Sequence, residues 1–184
     1  SGYRPLSAIE TARPFRMSFP LPFPVSELRN NGGLETLAIA PETSPLGGGL
    51  VAIAEKSVDG SGNLFAGILD GPLAGAFGVR PHDGFDVTDG AFLPNGDLLL
   101  LERRFTFASG VGLRIRRIDG ASLKPGAVVD GEVILEAGMS EEIDNMEGLD
   151  VMTAPDGSTH VILVSDDNHS ILQRTLMLEF RLAD

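Results

Sequence analysis

Asp89-Gly90-Ala91-Phe92-Leu93-Pro94-Asn95-Gly96-Asp97-Leu98-Leu99-Leu100-Leu101-Glu102-Arg103-Arg104 is the stretch on which the fold turns. Asn-Gly between apolar runs is a strong hairpin signal, because both central residues of the tight turn need positive φ. It predicts a strand over Ala91–Pro94, a two-residue turn at Asn95-Gly96 and a return strand over Asp97–Arg104. The pattern recurs on either side. Leu34–Ala40 is expected to pair with Leu50–Ser57 through a longer loop, and Leu149–Ala154 with His160–Asp167 through Pro155-Asp156-Gly157. Gly33, Gly90 and Gly148 mark the recurrence, a period of just under sixty residues. A fixed period of this size signals a repeat architecture.

Each repeat holds further β-forming segments. A third strand is predicted at Leu64–Asp70, Leu113–Asp119 and Leu176–Leu182. A fourth is predicted ahead of each first strand, at Phe15–Phe19, Leu73–Val79 and Val129–Ala137. No segment has the caps and 3.6-residue period of a long helix. Four-stranded antiparallel units at this spacing read as β-propeller blades, over residues 15–72, 73–120 and 128–184. Propellers close with roughly four to eight blades. Three blades therefore read as half of a six-bladed ring, to be completed by a second copy or by an upstream half. The alternative is a β-sandwich of the same twelve strands.

Composition narrows the function. The chain has 184 residues and a net charge of -12. That balance argues against nucleic acid, whose phosphates need a basic footprint, and against an anionic membrane surface. There is no cysteine, which excludes disulfides, zinc-thiolate sites and thiol nucleophiles. No apolar run is long enough for a membrane span. Ser1-Gly2-Tyr3 does not open a signal peptide, although one removed by processing fits this start.

The acidic residues recur with the strands. Glu35 and Glu55, Asp89 and Glu102, and Glu147 with Asp166-Asp167 fall at the first strand's start and the second strand's end. Those two ends share one rim of a hairpin. Counting outward from a two-residue turn sets Asp89 opposite Glu102, and counting from Asp156-Gly157 sets Glu147 opposite Asp166. Like charges on facing strands are destabilising. A divalent cation would relieve them, and hard oxygen donors suit Ca²⁺ foremost, or Mg²⁺. Asp89, Glu102, Glu147, Asp166 and Asp167 are the candidate ligands. Neutralisation by Arg103, Arg104 or Lys56 is the competing reading, and a one-residue register slip would send the acids to opposite faces.

Glu147, Arg103 and Asp166 are the candidate catalytic groups. Glu35, Glu55, Lys56 and Arg104 are candidate substrate contacts. His82 and His169 are read as surface histidines or acid/base groups, and His160 as structural. Arg114, Arg116 and Arg117 are expected on a solvated outer edge. The chain has no Gly-x-Ser-x-Gly elbow and no phosphate-binding glycine loop.

The combination of Asn30-Asn31-Gly32-Gly33-Leu34-Glu35, Asp86-Val87-Thr88-Asp89-Gly90, Leu101-Glu102-Arg103-Arg104-Phe105, Asp144-Asn145-Met146-Glu147-Gly148-Leu149, Val164-Ser165-Asp166-Asp167-Asn168 and Gln173-Arg174-Thr175-Leu176 resembles the bacterial phytase-like family, labelled "esterase-like activity of phytase". The resemblance runs from about residue 13 to the C-terminus and covers what looks like the C-terminal half of such a protein. It implies a propeller, hydrolysis of a small-molecule phosphoester or other ester, and a periplasmic or secreted location, with the cytoplasm still open. A non-catalytic propeller that binds a protein or small ligand at the same mouth is the alternative.

Overall fold

The computed structural model describes residues 20–28, 32–106, 110–138, 140–141, 143–169 and 173–183. The expected strand at Phe15–Phe19 lies outside them. The described residues contain no α-helix, only strands and short 3-10 turns such as Gly120–Ser122. No helix among them could cross a membrane.

The first sheet is built from β1 (Leu34–Ile39), β2 (Leu50–Val58), β3 (Leu64–Ile68) and β4 (Gly75–Val79), all antiparallel neighbours in that order. The short β8 (Val128–Val129) adds to β4 in parallel. The second sheet runs β5 (Asp86–Phe92), β6 (Leu98–Thr106), β7 (Gly110–Ile118) and β9 (Glu132–Ala137). The third contains β10 (Met146–Thr153), β11 (Thr159–Ser165) and β12 (Met177–Arg181). Among the described residues the protein is thus all-β, with three antiparallel-rich sheets, none closed.

The fourth-strand expectation is corrected in phase. Leu73–Val79 does not precede the second repeat; its strand, Gly75–Val79, is hydrogen-bonded to β3 of the first sheet. Likewise Glu132–Ala137 closes the second sheet against β7 rather than opening the third. Strand counts are accordingly five, four and three among the described residues. The glycine recurrence is also shifted. Gly33 lies ahead of β1, whereas Gly90 and Gly148 lie inside β5 and β10.

The sheets pack face on face in chain order. Leu98-Leu99-Leu100-Leu101 is buried at every position, because successive strand residues face opposite ways and both faces of the second sheet are covered. Leu98 and Leu100 join Ala38, Val51, Ile53 and Val87 in the core toward the first sheet. Leu99 and Leu101 join Leu149, Val161 and Leu163 in the core toward the third. Burying each leucine contributes about 2 kcal/mol. The first strands β1, β5 and β10 of the three sheets lie side by side, so their beginnings share one mouth.

The outward face of the first sheet is covered in part by residues 20–28. Phe23 stacks on Phe65 with ring centroids 5.3 Å apart. Gly67 lies under Pro22, where a Cβ would come within 2.4 Å of the proline ring. A side chain there has no room, so the sequence places none.

Candidate functional site

Hairpin geometry decides which acids meet. The turn at Asn95-Gly96 holds three residues, Pro94 to Gly96, closed by Leu93 N–H donating to the Asp97 carbonyl at 2.8 Å. Gly96 takes the left-handed position at φ 95°, the usual device of a three-residue hairpin loop. Pro155 to Gly157 does the same, with Gly157 at φ 85° and Ala154 N–H bonded to Ser158 O at 2.9 Å. A loop one residue longer than two shifts every partner by one.

Each first strand then bulges once, at Glu35, Thr88 and Glu147. The longer loop by itself overturns both predicted acid pairs, and each bulge shifts the partners beyond it by one more place. Asp89 faces Leu101, and Glu102 faces Val87; the carboxylates therefore leave on opposite faces of the sheet. Glu147 is the bulged residue and has no cross-strand partner, and Asp166 N–H bonds to the Asn145 carbonyl at 3.0 Å.

Glu102 is part of a buried ion cluster. It is 1 % exposed, with Arg114 at 2 % and Arg116 at 0 %. Its carboxylate accepts from Arg114 Nε at 2.5 Å, Arg116 Nε at 3.0 Å and Arg116 Nη2 at 2.6 Å. Arg114 and Arg116 are therefore not a solvated edge. They point into the gap between the first two sheets, and Arg117 pairs with Asp97 at 2.7 Å. Planar guanidinium forks suit a buried, many-donor role.

Outside that cluster, the mouth gathers charges from all three sheets. Glu35 is an exposed residue, yet its carboxyl is held above the usual range, first by partial burial and then by Glu55, Glu147 and Asp89, with Lys56 opposing. Lys56 Nζ reaches Glu55 at 3.1 Å. Asp86 is raised by burial and by Glu55, against the pull of Lys56 and Arg103. Asp89 is raised by burial despite accepting N–H bonds from Leu149 and Gly90, each at 2.7 Å. The Leu149 bond ties the first strand of the second sheet to that of the third.

Arg103 crosses to the third sheet. Its Nη1 lies 3.4 Å from Glu147 Oε1 and donates to Asn145 Oδ1. Asn145 is buried and donates in turn to Glu147 Oε1 at 2.7 Å. Asn145 is the residue that reading by charge overlooks; its signal was its place two residues before an acid at a strand start. Arg104 points elsewhere, over the Phe85 ring at 4.5 Å, and donates to Asp83 O at 3.1 Å.

Asp166 and Asp167 form a local turn. They accept from Asn168 N–H at 3.0 Å and His169 N–H at 2.9 Å, as Asx turns do. His82 lies 2.8 Å from Asp130 and His160 2.6 Å from Glu179. Among the described residues no three acidic or histidine side chains stand together as a group that could hold a metal. Asp89, Glu102, Glu147, Asp166 and Asp167 therefore do not meet as one donor set among the described residues.

The chain matches the family described as "Phytase-like: Esterase-like activity of phytase" over residues 8–169. The chain belongs to the phytase-like family. Membership points to a hydrolase-type function. No curated protein and no solved structure matches this phytase-like chain.

Proposed function

We propose that the protein is an ester-bond hydrolase working at the mouth where β1, β5 and β10 begin. The observation that carries this reading is the bulge repeated in each first strand, with Glu35 and Glu147 at two of the three bulges. Bulges are common beside active sites, where they re-aim a side chain. Two carboxyls in unequal surroundings supply an acid and a base. Glu35, raised by burial and by its acidic neighbours, is the proton donor to the leaving oxygen. Glu147, positioned by Arg103 and Asn145, is the base that takes a proton from the attacking water. Arg103 steadies negative charge developing on the ester's oxygen. In this route the chain's own side chains carry each proton transfer.

The three sheets are read as propeller blades and the mouth as part of a central channel. The channel would be completed by a second copy of the chain or by further blades.

The test is a panel of phosphate monoesters, carboxylic esters and lactones, assayed in Ca²⁺ and in chelator. Hydrolysis that falls at least a hundredfold in Glu147→Gln and in Arg103→Met, with folding intact, supports the proposal. No turnover of any class leaves the ligand-binding reading, which the separation of the predicted acid pairs favours. Activity seen only with Ca²⁺ would overturn the metal-free route.

A further inference from the structure

We infer that a groove beside the mouth, between the first and second sheets, holds the short apolar chain of a neutral ester. This inference rests on the ester-hydrolase reading for its substrate but on separate residues for its geometry. The groove has a volume of about 290 Å³, and Val58, Leu64 and Phe85 provide its apolar lining, with Lys56 and Asp86 also on its wall. That size is at the small end for a ligand pocket, and the wall sets an apolar strip of Val58, Leu64, Pro81 and Phe85 beside the ionisable Lys56, His82, Asp83 and Asp86. Asp86 is paired in register with Arg103, and its carboxyl feels Lys56, Glu55 and Arg103. The groove thus opens onto the reacting mouth.

One wall is built to be rigid. The turn from Arg80 to Phe85 is closed by Phe85 N–H to His82 O at 3.0 Å. Three arginines grip it from the sheet behind. Arg116 donates to Arg80 O at 2.9 Å, Arg114 to His82 O at 3.1 Å and Arg104 to Asp83 O at 3.1 Å. Two of their guanidiniums, Arg104 and Arg114, also lie over the Phe85 ring, at 4.5 and 4.3 Å. Arg114 and Arg116 of the buried Glu102 cluster therefore hold the loop in place. A wall fixed before the ligand arrives lowers the cost of binding.

The charge of the groove selects against anions. Lys56 is engaged by Glu55, His82 by Asp130, and Arg114 by Glu102 and Asp83. Asp83 and Asp86 stand on the same wall. A phosphate would meet Asp83 and Asp86, while the basic residues lining the groove, Lys56 and His82, are already paired with carboxylates; an alkyl chain meets Val58, Leu64 and Phe85.

The test uses the whole chain and two readouts. Hexanamide, a neutral non-reacting probe, should shift the NMR signals of the Val58 and Leu64 methyls and the Phe85 ring, and inorganic phosphate should not displace it. Esters with acetyl to decanoyl chains, and a matching alcohol-side series, give the second readout. Val58→Phe should lower kcat/KM for hexanoyl relative to acetyl esters at least tenfold, and Val58→Ala should move the preference to longer chains; whichever series responds identifies the side of the ester bound. Thermal melts confirm that each variant is folded. Hexanamide that leaves these signals unmoved, or turnover with unchanged chain preference in folded variants, overturns the groove. No turnover with hexanamide bound sinks the hydrolase reading and leaves the groove standing.

Discussion

Asn145 couples two sheets through one buried amide. Its carbonyl accepts from Arg103 of the second sheet and its amide N–H donates to Glu147 of the third. Asn145→Ala leaves both partners without it. A lost buried hydrogen bond costs about 1–3 kcal/mol, so the melting temperature should drop by several degrees. kcat should fall at least tenfold with little change in KM, because orientation rather than binding is lost. Asn145→Asp should keep the bond from Arg103 and lose the one to Glu147, so its kcat should stay depressed; recovery in that variant would show that Glu147 needs no positioning.

Glu35 gives a pH prediction. Its folded carboxyl titrates above the ordinary value, so the folded state binds the proton more tightly than the unfolded chain does. The resulting stability is present below the ordinary carboxyl value and is lost as pH rises through the raised one. Glu35→Gln should therefore melt at or slightly above the parent at pH 7, by roughly 1 °C because solvent screens the site, and lose that advantage near pH 4. The same variant should flatten the alkaline limb of the pH–rate profile if Glu35 is the proton donor. A parent that is the more stable at pH 7 would count against the crowding described at the mouth.

At the scale of the element, the Glu102 cluster separates a charge count from a structure. Glu102→Gln removes the buried carboxylate that Arg114 and Arg116 share and leaves them only the more exposed Asp83 and Asp130, so it should cost up to about 3–5 kcal/mol, read from denaturant unfolding. Replacing Glu102, Arg114 and Arg116 together by apolar residues of similar volume should cost much less in stability. It should still blunt the groove, because the loop from Arg80 to Phe85 loses its anchors. Retained hydrolysis of acetyl esters in the triple variant, with lost discrimination among chains, is the expected pattern.

These elements also explain what the sequence disclosed. The strand pairs β1–β2, β5–β6 and β10–β11 were legible, because alternation and turn residues are local signals. The register was not. One extra turn residue at Pro94 and one bulge at Thr88 each move partners by a single place, and period-two geometry turns a single place into the opposite face. Glu102 thereby went from a proposed ligand to a buried counter-ion. The mouth was legible as a location, since Glu35, Asp89, Glu147, Lys56 and Arg103 do gather near the starts of the first strands. Asn145 was not, because nothing in its own chemistry distinguishes it from a turn residue.

At the scale of the molecule, the outward faces of the first and third sheets differ from the inner ones. Ile39 and Met177 are each 72 % exposed, with Leu37 at 64 %. Apolar patches on open sheet faces seek cover. If a second copy completes the ring, sedimentation should report a dimer at micromolar concentration, and Ile39→Lys with Met177→Lys should return it to monomer while the melting temperature changes little. A monomer at all concentrations would leave ring completion to other blades. Gly67→Ala should loosen the cover on the first sheet, because its Cβ meets Pro22; overpacking of this kind costs about 1–3 kcal/mol.

The four leucines of β6 alternate between two cores, so one strand is part of the wall of both. Repeat proteins often come apart unit by unit, as in a one-dimensional chain of weakly linked neighbours. Here the shared strand removes that freedom. Amide hydrogen exchange at Leu99 and Leu100, although each faces a different core, should proceed at one rate set by global opening. Leu99→Ala and Leu100→Ala should each lower that opening free energy by about 2–5 kcal/mol, and each should accelerate exchange in both outer sheets alike. The three sheets would then melt as one cooperative unit.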